Sequence, residues 1–183
     1  MITKEAVSSD ANLSNAIEHP MSFYYGLSTA YDWYTTTTLN DNLWGGVPPS
    51  SQHITIFDFY KTIFDPCPAG WRVPIFEENK LEFWPPWTPF STETFPWSNY
   101  GCTYEESFYP AAGYRDYSSG EIGIVKNDDF PIREPGSVGT NGYYWSGSVL
   151  KGWVYCLNFK NNFVETVNLN YRANGFSVRC VKE

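Results

Sequence analysis

Gly142-Tyr143-Tyr144-Trp145-Ser146, Trp153-Val154-Tyr155-Cys156-Leu157-Asn158-Phe159, Phe163-Val164-Glu165-Thr166-Val167 and Gly175-Phe176-Ser177-Val178-Arg179-Cys180-Val181 are the runs that decide how this chain folds. They are rich in aromatic and β-branched residues, and Gly, Asn and Ser punctuate them, which is the pattern of short strands joined by turns. Working outward, the stretch beyond Phe108 alternates apolar pairs with Gly, Ser, Asn and Asp turns, and Phe23-Tyr24-Tyr25 reads as a short strand ended by Gly26. Two short helices are expected. The first is capped by Ser9 or Asp10 and runs to about Glu18, with Leu13, Ala16 and Ile17 on one face and Pro20 as its stop. The second, of two or three turns, runs from Ile75 to Trp84 and is closed by Pro85-Pro86. Asp65-Pro66-Cys67-Pro68-Ala69-Gly70 is a turn, and a long Pro-, Trp- and Phe-rich loop precedes Tyr104. The fold class read from this is α+β: one domain over residues 11–183 with short strands, one or two short helices and long loops, after a flexible lead over residues 1–10.

The chain has 183 residues with a net charge of −8, and aromatic residues (8 Trp, 14 Tyr, 13 Phe) make up 19% of it. Such composition excludes a helical bundle and a disordered chain alike, and a core of this size cannot hide every ring. Nucleic-acid partners are disfavoured because sequence-independent binding rests on Lys and Arg. No run approaches the roughly 18 apolar residues of a spanning helix. The first twenty residues contain Lys4, Glu5, Asp10 and Glu18 and lack an apolar core, so no signal peptide is expected in this chain. Cys67, Cys102, Cys156 and Cys180 form no C-x-x-C, which argues against a zinc knuckle or a thioredoxin-like motif. Three disulfide pairings are open, as is the reading that at least two are buried thiols.

Six blocks occur in a specific order: Phe23-Tyr24-Tyr25-Gly26 with Tyr31-Asp32-Trp33-Tyr34; Asn42-Leu43-Trp44-Gly45; Lys61 to Pro74; Tyr109-Pro110-Ala111-Ala112-Gly113-Tyr114-Arg115; Gly142 to Ser146; and Arg172 to Val181. In this order the chain resembles the Fibrobacter-type major paralogous domain of gut Bacteroidetes and their phages. That family is similar to the C-type lectin-like fold, in the variant used by formylglycine-generating enzymes and by the variable proteins of diversity-generating retroelements. The resemblance implies that Trp71-Arg72-Val73-Pro74 begins a core helix, although Ile75 replaces the usual capping Thr. It implies central strands at Tyr144–Ser146 and Phe176–Val181. It also implies a disulfide between Cys67 and Cys180, an early cysteine tied to the last, while Cys102 with Cys156 is only permitted. Trp33, Trp44, Trp71, Tyr114 and Trp145 fall inside the blocks and are expected in the core.

Residues 141–174 hold seven of the chain's fourteen Asn, together with Tyr143, Tyr144, Tyr155, Tyr171, Trp145 and Trp153. Tyr and Trp offer stiff contact area and Asn offers adaptable hydrogen bonding. The blander account is that Asn marks turns and Tyr pairs across strands. Tyr144, Trp145, Leu157 and Phe159 are expected in the core. Trp153, Tyr155, Asn158, Asn161, Asn168, Asn170 and Tyr171 are expected at the surface as ligand-binding residues. The function expected is a non-catalytic recognition module, displayed on a cell surface or virion and binding a protein or glycan. By resemblance, one form of that role is the target protein of a diversity-generating retroelement. The alternative is a structural adhesin, pilus or virion-decoration subunit that packs against neighbours.

Enzyme chemistry and cofactors are not expected. The formylglycine-generating relatives need a paired-cysteine copper site and a longer arginine-rich motif, and this chain departs at both. His19 and His53 read as surface residues. Glu77-Glu78, Glu105-Glu106 and Asp128-Asp129 are adjacent pairs, which point apart on a strand and so do not form a glycosidase-like pair. Calcium-dependent carbohydrate binding is a lesser alternative. Glu134-Pro135 is followed by Gly136 and no Trp-Asn-Asp occurs, so Asp128, Asp129 and Glu134 read as a solvated acidic loop, with no metal site assigned.

Overall fold

The computed structural model describes residues 3–6, 12–25, 43–45, 61–77, 82–83, 93–104, 106–122, 138–150 and 153–183. In chain order the elements are β1 (Thr3–Ala6), α1 (Asn12–Glu18), β2 (Ser22–Tyr25), β3 (Trp71–Arg72), β4 (Phe76–Glu77), β5 (Glu82–Phe83), β6 (Trp97–Ser98), β7 (Gly101–Tyr104), β8 (Ser107–Pro110), β9 (Asn141–Leu150), β10 (Trp153–Lys160), β11 (Phe163–Tyr171) and β12 (Val181–Lys182). The described residues are mostly β-sheet with very little helix.

The centre is the antiparallel sheet β11-β10-β9. Its β10–β11 hairpin closes on the pair Lys160↔Phe163 across the two-residue loop Asn161-Asn162. Asn162 adopts a φ of 63°, a left-handed conformation that Asn accepts more readily than most residues. The expected strands at 143–146, 153–159 and 163–167 are present and longer than the sequence suggested.

Side chains alternate across this sheet, and each face buries its own cluster. On one face Tyr144, Tyr155, Leu157 and Phe159 pack with Phe95, Cys102, Tyr109 and Ala111. Cys102 and Tyr109 are delivered by the antiparallel sheet β6-β7-β8. Edge-to-face rings fill this layer, with Phe95 5.0 Å from Phe159 and Tyr109 5.4 Å from Tyr144. On the other face Trp145, Val154 and Cys156 pack with Trp44, Val149 and Phe176. There Phe176 stacks on Trp145 at 4.0 Å, and Tyr114 lies 4.9 Å from Tyr143.

Several expectations change. Among the described residues after Pro74, the expected helix is replaced by a strand pair: β4 and β5 run antiparallel, Phe76 opposite Phe83. Ile75 is buried rather than standing at a helix cap. The Gly147 N–H donates to the Pro74 carbonyl at 2.8 Å, so this segment is held against β9 by a sheet-like bond that a helix starting here would not offer. The loop expected up to Tyr104 contains the β6–β7 hairpin. Residues 175–180 are not a strand. Gly175 bridges Arg115 and Ser177 bridges Tyr144 singly, and a ladder forms only where β12 meets β3. Between those bridges Phe176 turns inward to cover Trp145. Within the expected N-terminal lead, Thr3–Ala6 pairs in parallel with β2. Helix α1 forms and ends before Pro20, and Ile17, grouped with Leu13 and Ala16 on one face by periodicity, is 72% exposed.

The Cys67–Cys180 disulfide is formed, with the two Cα atoms 5.7 Å apart across 113 residues. The turn that presents Cys67 is braced from both sides. The Asp65 carboxylate accepts from the N–H of Cys67 at 2.8 Å and of Val73 at 3.2 Å. The Lys61 ammonium donates to the carbonyls of Cys67 (2.6 Å), Pro68 (2.8 Å) and Trp71 (2.5 Å). Of the rings expected in the core, Tyr114 and Trp145 are buried, and Trp44 is half-buried against the second cluster. Trp71 is 43% exposed, because β3 is a two-residue strand paired only to β12 in a two-stranded sheet of its own. Trp33 lies outside the described residues.

Candidate functional site

Strand alternation divides the seven expected site residues between two faces. Asn158, Asn168 and Asn170 share the face of Trp145 and Cys156, since Cys156 pairs with Asn168 and Val154 with Asn170. Trp153, Tyr155 and Tyr171 share the opposite face. The register shifts between Cys156 and Asn158: Cys156 faces Asn168, but Asn158 faces Glu165. An extra β11 residue is thereby inserted opposite Leu157, and this bulge brings Glu165 onto the asparagine face.

The asparagines are engaged with the chain. Asn168 Nδ2 donates to Glu165 Oε2 at 2.7 Å, and Asn168 Oδ1 accepts from the Cys156 thiol at 3.3 Å. Asn170 Nδ2 reaches Asn168 Oδ1 at 3.4 Å, and Asn170 Oδ1 accepts from the Tyr171 N–H at 2.9 Å. Asn158 is half-buried, and its Oδ1 is closed off from solvent with no hydrogen-bond partner among the described residues. Asn161 is exposed, in the hairpin loop. Asn168 and Asn170 thus brace the strand, while Asn161 is displayed.

Tyr155 corrects the expected site. It is only 7% exposed and belongs to the first core cluster, because β6–β8 cover that part of the sheet. Trp153 and Tyr171 lie beyond this cover, at the end of β10 and β11. Their rings are stacked, with centroids 4.5 Å apart and planes 26° apart, and both residues are half-buried. A third ring, missed from sequence, joins them: Tyr117 stands edge-on to Tyr171 at 5.2 Å. The signal for its loop was present in Asp116-Tyr117-Ser118-Ser119-Gly120, a turn-forming run. The Asp116 carboxylate accepts from the N–H of Ser118 at 2.9 Å and of Ser119 at 3.0 Å.

Two cysteines remain as thiols, Cys102 and Cys156, both buried. Burial pushes Cys102 up to about 12. Cys156 is pushed well above its ordinary value by burial first and by the nearby Glu165 carboxylate second. Both therefore stay protonated and unreactive at neutral pH. Among the described residues no group of three or more His, Cys, Asp or Glu converges. His53, Asp128, Asp129 and Glu134 lie outside the described residues, and His19 is exposed. No described helix is long and apolar enough to cross a membrane.

Comparison with protein-family models, with curated proteins and with solved structures finds no match to this chain.

Proposed function

We propose that this chain is a non-catalytic recognition domain of the C-type lectin-like kind, related to the Fibrobacter-type major paralogous domain, which engages a protein or glycan on a cell surface or virion. The single observation that carries this reading is the Trp153–Tyr171 stack, a half-buried aromatic pair where β10 begins and β11 ends. Stiff aromatic area on a rigid support is what a contact surface needs, because little conformational entropy is lost on binding. The Cys67–Cys180 link, implied by the resemblance, supports the kinship, and its presence suits an oxidising, extracellular setting. The β4–β5 hairpin, where the resemblance implies a core helix, is a departure from the family pattern.

The geometry bears on the form of the role. Asn168 and Asn170 brace the strand and Tyr155 fills the core, so diversification by a retroelement at these positions would act on packing residues. The experiment is a binding screen of the domain against extracted surface glycans and surface proteins, with a Trp153→Ala, Tyr171→Ala double variant alongside and EDTA as a further arm. Ligand retained by a folded double variant overturns the site. No ligand in either class favours the structural-subunit alternative.

A further inference from the structure

Asn is followed by Gly at Asn141-Gly142 and at Asn174-Gly175. Packing requires glycine at both places. A Cβ on Gly142 would overlap the Phe159 ring, and a Cβ on Gly175 would lie 2.6 Å from the Phe23 ring and 3.2 Å from the Arg115 Cβ. Asn174 is required in turn by what its carboxamide holds. It is 6% exposed, its Oδ1 accepts from the Tyr117 N–H at 3.0 Å, and its Nδ2 donates to Asn170 Oδ1 at 2.9 Å. Asn-Gly is also the dipeptide whose side-chain amide is most easily lost. Glycine has no Cβ to keep its nitrogen from the Asn Cγ, and its backbone is free enough to bring the two together. In the folded chain both reacting groups are occupied. The Gly175 N–H, whose nitrogen would attack, donates to the Arg115 carbonyl at 2.9 Å, and the Arg115 N–H returns a bond to the Gly175 carbonyl at 3.0 Å.

We propose that Asn174 is a deamidation site which the fold keeps closed, that it reacts when residues 172–180 open locally, and that the Cys67–Cys180 disulfide controls how often they do. The inference is independent of the recognition reading. On opening, the Gly175 nitrogen gives its proton to solvent base and bonds to Asn174 Cγ. The Cγ–Nδ2 bond breaks, and Nδ2 leaves as ammonia after taking a proton from water. Water then adds to the resulting succinimide. Breaking the bond from the ring nitrogen to Cγ gives Asp, and breaking its bond to the main-chain carbonyl carbon gives isoaspartate. Neither product suits the site. Both lack the donor that meets Asn170 Oδ1 and place a carboxylate where a neutral amide was buried. Isoaspartate also lengthens the main chain next to Gly175, where the Phe23 ring leaves no room. Asn174 is the weaker of the two sites. Gly175 meets Arg115 and Ser177 meets Tyr144 through single bridges, and the disulfide ties the segment down a few residues later. Asn141 begins β9, where Gly142 pairs with Phe159 in the central ladder and the Gly113 N–H donates to the Asn141 carbonyl at 2.8 Å. Segments held by few bonds open at lower free energy than a core strand, which opens only with the whole molecule.

The test incubates the full chain in mildly alkaline buffer in three states: disulfide-bonded, disulfide-reduced, and denatured in urea. Peptide mapping by mass spectrometry follows Asp and isoaspartate formation at Asn141 and Asn174. In urea both sites convert at similar rates. In the disulfide-bonded native protein Asn174 converts at least about tenfold more slowly than in urea, and Asn141 more slowly still. Reduction speeds Asn174 and leaves Asn141 at its native rate, with circular dichroism reporting that the reduced chain is folded. If reduction unfolds the chain, disulfide-bonded protein in urea below its unfolding transition carries the decision, and there Asn174 converts ahead of Asn141. Asn174→Asp, the product made directly, melts below wild type or does not fold. Conversion of Asn141 ahead of Asn174 in folded protein overturns the local-opening route. An Asn174 rate unchanged by reduction of a folded chain overturns the role of the disulfide. Native Asn174 converting as fast as in urea overturns its protection, and a wild-type melting temperature for Asn174→Asp overturns the claim that the fold rejects the product.

Discussion

Cys102 and Cys156 are both buried thiols, yet they lie in different clusters on opposite faces of the β11-β10-β9 sheet. Cys102 packs beside Tyr109 and Tyr144, whereas Cys156 packs beside Trp145 and points its thiol at Asn168. The Cys102–Cys156 pairing, permitted beside the implied Cys67–Cys180 link, is therefore closed off by a layer of sheet. The remaining pair, Cys67 and Cys180, is joined.

The native protein should be silent to thiol reagents. A raised pKa lowers the thiolate fraction at any given pH, and the thiolate is the nucleophile. Native protein treated with a disulfide reagent at pH 8 should release no chromophore, and denatured unreduced protein should titrate the two thiols. Rapid modification of the native state would show that one of these sites opens to solvent.

Removing the disulfide by Cys67→Ser with Cys180→Ser should lower unfolding stability by up to about 5 kcal/mol, the chain-entropy value for a loop of this length. Urea denaturation is the measurement. The Lys61 and Asp65 bonds hold the turn independently, so the variant should keep the wild-type far-ultraviolet spectrum.

Gly142 is required by its neighbour across the sheet. A Cβ at this position would overlap the ring of Phe159, which is fully buried and held at 5.0 Å by Phe95. Gly142→Ala should cost about 2–3 kcal/mol by overpacking. Adding Phe159→Leu should recover part of that loss, and a double-mutant cycle in urea reports it.

Trp153 and Tyr155 are two residues apart on β10 and should behave differently when truncated. Tyr155→Ala removes a core ring and should cost about 3 kcal/mol or more. Trp153→Ala removes a half-buried stacking partner and should cost about 1 kcal/mol. If Trp153 serves recognition, its variant alone loses ligand while keeping its melting temperature near wild type. Equal destabilisation by both would return Trp153 to a structural role.

What the sequence determined by itself is local. Runs such as Trp153–Phe159 fold as strands because their residue types and the Asn and Gly turns beside them act within a few positions. The alternation in β10 and β11 already separated Trp153 and Tyr171 from Asn158, Asn168 and Asn170, so the division of the expected site between two faces was legible from parity. The Cys67–Cys180 pairing was legible only through the resemblance, since spacing left three choices open. What the tertiary structure decided is which surfaces are covered. Tyr155 is core because β6–β8 lie over it, Trp71 is exposed because nothing described covers β3, and the stretch after Pro74 pairs as strands because β9 offers Pro74 a backbone partner. Tyr117 joins Tyr171 through Asn174, from 57 positions away. Burial and hydrogen bonding between distant segments depend on where the whole chain places them, and no local window of sequence contains that information.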